Sequence, residues 1–127
     1  MKAFILAIAL ALGTGAVQAH EMTPTYPRLV PSHLDGILKA TMQMFNRRAD
    51  VEYYEVGVFD EDFNPVPFVT AYHIFKLEYQ SQTSFDVYIR EKDKDRAVYI
   101  CSRSKVRKDS TTKPALSSRI CSKIEDR

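Results

Sequence analysis

The side chains best suited to chemistry in this 127-residue chain are three histidines, two cysteines and one acidic turn. His20 follows "GAVQA", where Val17 and Ala19 are small residues at positions −3 and −1 of a leader cleavage site. A cut there leaves His20 with a free α-amine beside its imidazole. That pair, joined by His33 or His73, forms a three-nitrogen set suited to Cu(II). No His-rich or Met-rich tract supports metal handling, so copper at His20, His73 and His33 stands as the alternative reading. The ordinary reading has His20 starting a mobile terminus, His33 in a loop and His73 packed. "DEDF" clusters acids at Asp60 to Asp62. A calcium cage needs about six or more oxygens, and its signature is absent, so a turn is expected. The serines of "SSR" and "CSRS" lack a nucleophile-elbow context. No catalytic residue is assigned, no cofactor is expected, and the chain reads as a non-enzyme.

Cys101 and Cys121 are the two cysteines. An even count in an exported chain predicts one disulfide. The compartment follows from the first 19 residues. Lys2 gives a positive n-region, and "AFILAIALAL" is an apolar stretch of signal-peptide length, short of the roughly 20 residues a membrane span needs. Residues 1–19 are therefore expected to be a cleaved signal peptide, with residues 20–127 forming one domain in the periplasm or secreted. No membrane span is expected after cleavage.

Charge narrows the partner. The mature side chains carry 17 bases and 16 acids, a balance that argues against nucleic acid. The distribution is uneven: residues 50–95 hold 11 acids and 4 bases, residues 96–127 hold 9 bases and 3 acids. Neighbouring strands of opposite sign would offset each other.

The elements that must position these residues are strands. Pro24, Pro27 and Pro31 forbid a helix in the entry segment and favour an extended or edge conformation. "ILKATMQMF" alternates, with Leu38, Ala40, Met42 and Met44 on one face. In "VEYYEVGVF" the inward set is Tyr54, Val56 and Val58. In "HIFKLEY" it is Phe75 and Leu77, and in "TSFDVYIR" it is Phe85, Val87 and Ile89. "VPFVT" is a short extended piece, and "EKDKD" is a solvated charged turn. "AVYICSRSKV" and "LSSRICSKI" are the last strands, the latter with Leu116, Ile120 and Ile124 on one face. "RKDSTTKPA" is the loop between them. About seven short antiparallel strands at roughly 10-residue spacing predict an all-β sandwich or barrel.

Those stretches resemble an immunoglobulin-like sandwich. "MFNRRAD", "PVPFVTAYHIFKLEYQSQTSFDVYI" and the pair "AVYICSRSKV" to "LSSRICSKI" are similar to the first domain of periplasmic pilus-assembly chaperones, the PapD-like family. The resemblance covers about residues 35–124. It implies a protein partner bound by backbone pairing at a sheet edge or by end loops. Leu116, Ser118, Arg119, Ile120 and Lys123 of the last strand are the candidate edge. Chaperones of that family anchor a partner's terminal carboxylate with basic residues between two domains; Arg28 and Lys123 are the nearest bases here, and a single domain is expected. "DRAVYIC" also resembles the strand-F signature of variable immunoglobulin domains, which implies a tyrosine corner at Tyr99. The usual strand-B cysteine is replaced near Met42 or Met44. Cys101 and Cys121 both oppose the inward parity of their strands, so a cross-strand bridge on the outer face is expected.

Overall fold

A computed structural model describes residues 20–105 and 117–125. Two four-stranded sheets face each other across one core. The first is centred on β3 (Ile37–Phe45), which pairs antiparallel with β6 (Gln82–Arg90) over nine positions, from Ile37↔Arg90 to Phe45↔Gln82. The other side of β3 is shared by two short strands, β1 (Glu21–Thr23) against its end and β2 (Val30–Pro31) against its start. The second sheet runs β5 (Ile74–Lys76), β4 (Tyr53–Phe59), β7 (Tyr99–Lys105), β8 (Arg119–Lys123).

Period two explains the core. Leu38, Ala40, Met42 and Met44 of β3 are buried, and Val87 and Ile89 of β6 meet Tyr54, Val56 and Val58 of β4 across the interior. Phe75 and Phe85 pack against this cluster with ring centroids 5.8 Å apart. Both methionines in the region of the missing strand-B cysteine are fully buried. Opposite charges do meet on adjacent strands: Glu55 of β4 holds Arg103 at 2.8 Å and Lys105 at 3.1 Å, both on β7.

Two segments leave one sheet for the other. After β1 the proline-rich chain crosses to β8, where Thr25 and Pro27 carbonyls accept the N–H groups of Lys123 (3.0 Å) and Glu125 (2.9 Å). It then returns to β3 as β2. Later, Val69 exchanges hydrogen bonds with Tyr88 of β6, and the chain crosses to β4, where the Val56 N–H donates to the His73 carbonyl. Three of the eight strands, β1, β2 and β5, are two or three residues long; the sequence pattern gives β1 and β2 only as an extended entry.

Several expectations are corrected. "EKDKD" is a 3-10 turn at Glu91–Asp93, and Asp93 is buried rather than solvated. Its carboxylate accepts Arg90 Nε at 2.8 Å and Arg96 Nη2 at 3.0 Å, so a charge run that looks exposed is folded on itself. Tyr99 lies on the outer face stacked on Phe63, with ring centroids 4.7 Å apart, and is not a tyrosine corner. His73 is exposed and tilts against Phe68, because the chain is still crossing between sheets there. His20 is 1% exposed and sits in the interior, not in a mobile terminus. The loop 107–114, Leu116 and the expected signal peptide 1–19 lie outside the described residues. Among the described residues no helix is long and apolar enough to cross a membrane.

Candidate functional site

The register of β8 decides what its outer edge can offer. The Ser104 N–H donates to the Ser118 carbonyl at 2.9 Å, and the Ile124 N–H donates to the Val98 carbonyl at 2.8 Å. In an antiparallel pair such bonds recur at every second residue. Ser118, Ile120, Ser122 and Ile124 therefore turn their backbone groups towards β7. Arg119, Cys121 and Lys123 turn theirs away from it. Lys123 spends its N–H on Thr25. Arg119 and Cys121 keep outward backbone groups with no partner among the described residues.

The same register accounts for the disulfide. Cys101 and Cys121 are direct partners at a position where the two strands do not exchange hydrogen bonds, the closer kind of antiparallel pair. Their Cα atoms lie 4.1 Å apart and the sulfurs are bonded. The bridge is on the outer face, as expected. Cys101 is nonetheless only 2% exposed. The Arg119 guanidinium folds back over it, 4.0 Å from its sulfur, and lies over the Phe59 and Phe63 rings at 4.7 and 5.0 Å. Gly57 stands opposite Cys101, and a Cβ there would meet the Phe59 ring at 2.8 Å. This crowded outer surface fixes the edge from one side.

A buried polar cluster fixes it from the other. Ser102 and Ser118 hydroxyls lie 2.7 Å from His20 Nε2 and 3.1 Å from Nδ1. The His20 ring also tilts against Tyr54 at 4.6 Å. Arg48, nearly buried, reaches Ser118 Oγ at 3.4 Å and pairs with Asp50 at 2.6 Å. Asn46 completes the group: its amide donates to the Val51 and Leu77 carbonyls, and its oxygen accepts the Arg48 N–H and the Tyr54 hydroxyl. Burial lowers the His20 pKa to about 4; a hydrogen bond with Ser102 opposes this, and the Arg48 charge adds to it. Burial pushes Tyr54 up to about 12. Every group here has a polar partner, which is how a buried network avoids the desolvation penalty.

The candidate residues thus divide. Arg119 and Lys123 sit on the exposed edge. Ser118 is turned inward, its N–H on Ser104 Oγ and its hydroxyl on His20, and Ile120 packs against the core. Leu116 lies outside the described residues. Arg28 is held by Glu125 at 2.6 Å. The three histidines do not converge. Both His20 ring nitrogens face serine hydroxyls, His33 is exposed in a loop, and no group of three His, Cys, Asp or Glu among the described residues is placed to hold a metal ion. Asp60 caps its own turn, its carboxylate accepting the Asp62 and Asn64 N–H groups at 2.9 Å. Sequence reading missed the His20 cluster altogether, since its partners lie 82 and 98 residues away along the chain.

No protein-family model matches the chain, and no curated protein matches it. A solved structure does: the crystal structure of the E. coli chaperone DraB, at a TM-score of 0.58 and 19% identity, over 84% of this chain. The match spans 54% of that chaperone. At that identity the likeness is one of fold, an all-β sandwich of antiparallel strands.

Proposed function

We propose that this protein is an exported, non-enzymatic binding module that takes up a protein partner by backbone pairing along β8. The observation that carries the reading is the pair of outward, unpartnered backbone positions at Arg119 and Cys121, held stiff by a disulfide beneath them. An edge strand of this kind is a template for an added strand. The chaperone-like fold and the disulfide both suit a periplasmic setting.

Backbone pairing depends on N–H groups, so proline should damage it more than a side-chain change. Arg119 is the position to vary, because its N–H faces outward and proline there removes no internal bond. Arg119→Pro is expected to lose a crosslinked partner from periplasmic extract, while Arg119→Ala keeps it, both remaining folded by circular dichroism. Equal capture by both variants moves the contact to an end loop, at Asp60 to Pro65 or Arg107 to Pro114.

A further inference from the structure

The side of the sandwich opposite β8 is also open. A groove of about 830 Å³ runs between the edge of β5 and the edge of β6, lined by Tyr72, Ile74, Phe75, Phe85, Asp86 and Tyr88 among others. It exists because the crossing segment pairs with β6 only at Val69↔Tyr88 before leaving for β4. Tyr88 turns its backbone away from β3 to meet Val69. By the two-residue alternation, Asp86, Ser84 and Gln82 turn theirs the same way. Among the described residues the Asp86 carbonyl alone of these groups is occupied, by the Thr70 hydroxyl at 2.8 Å. Facing it, Val56 and Glu52 take the backbone groups of His73 and Leu77, so Ile74 and Lys76 of β5 also direct theirs away from β4. Two free edges therefore border one apolar trough. Tyr72 and Ile74, which line it, are 73% and 49% exposed.

We infer that β6, from Gln82 to Asp86, is a second acceptor edge, and that its occupant is an extended strand alternating apolar and basic residues. Five edge residues span roughly 17 Å, enough for a strand of about that length. Alternate side chains of such a strand point to opposite faces. One set meets Phe75 and Phe85 inside the trough. The other meets the outer lip, where the Asp86 carboxylate accepts only the Thr41 hydroxyl, at 2.6 Å, and joins no base among the described residues. On the β5 side Lys76 lies between Glu52 at 3.7 Å and Glu78 at 3.8 Å, so with Asp86 three carboxylates stand against that ammonium and Lys39, which lies two residues from Thr41 on the same face of β3. An acidic strand would be repelled by the same groups.

The probe is a nine-residue synthetic peptide of alternating valine and lysine, with a valine–glutamate counterpart and a valine–lysine peptide N-methylated at alternate residues. Amide NMR of the whole protein reads where each one binds. The lysine peptide is expected to shift the amides of 74–76 and 82–86. The N-methylated peptide should bind at least tenfold more weakly, and Asp86→Asn should cost about three- to fivefold, the range of an exposed charge pair. Ser84→Pro removes an outward N–H that makes no internal bond and should block binding while the fold is kept. Equal binding of the glutamate peptide, no binding at millimolar peptide, or retention by the N-methylated peptide overturns the inference. Shifts at Arg119 to Cys121 alone also overturn it, and leave the β8 reading standing.

Discussion

His20 shows how one side chain can set a pH limit. Its folded pKa is about 4, below the usual 6.5, because burial disfavours the charged ring. The unfolded chain therefore takes the proton first as pH falls. The contribution of this residue is complete above about pH 6.5 and is lost progressively down to about pH 4, reaching about 3 kcal/mol. Urea denaturation across that window should show a slope that His20→Gln makes shallower, and the difference between the two proteins removes the background from titrating carboxylates. A wild-type curve parallel to that of the variant would mean that the ring is not held neutral by burial. Nothing local marks His20 as a core residue. Only the hydroxyls of Ser102 and Ser118, brought in by β7 and β8, give it an interior to occupy.

At the scale of elements, the sequence pattern marks every strand except β1 and β2. A half-buried strand writes its face into the sequence at period two, and β3, β4 and β6 do so cleanly. β1 and β2 are too short to show a period, and they are strands because β3 supplies both of their partners. Asp93 misled for a related reason: a buried carboxylate with two arginines at three residues' distance looks the same in sequence as a solvated charge run. The outer-face placement of the cysteines followed from parity, but the cover over Cys101 did not, since it comes from Arg119 reaching across strands. The free β8 edge depends on that bridge for its stiffness. Its loop spans 20 residues, so replacing both cysteines by serine should cost about 3 kcal/mol on the chain-entropy account. Thermal unfolding under oxidising and reducing conditions checks this. A variant as stable as the reduced protein, with both well below the oxidised form, is the expected pattern.

For the whole molecule, the entry segment decides where a functional chain must begin. His20 and β1 both contribute to the core, through the serine contacts and through Met22. Cleavage of the proposed leader after Ala19 would preserve both. If the proposed leader is cleaved there, N-terminal sequencing of the mature protein is expected to read His-Glu-Met. A start at Pro24 or beyond would remove β1 and the histidine cluster together, and would contradict the leader boundary.

The crossing of residues 25–27 onto β8 has a mechanical consequence. Thr25 and Pro27 meet Lys123 and Glu125 in the same chain direction, so the two segments run parallel at the closing seam. A pull applied to the two ends of the domain would draw these segments past each other along their length. The two seam hydrogen bonds would then carry the load at the same moment, rather than parting one after the other. A module tethered at both ends by a larger assembly would resist extension in that geometry, and would yield more easily to a force applied across the seam.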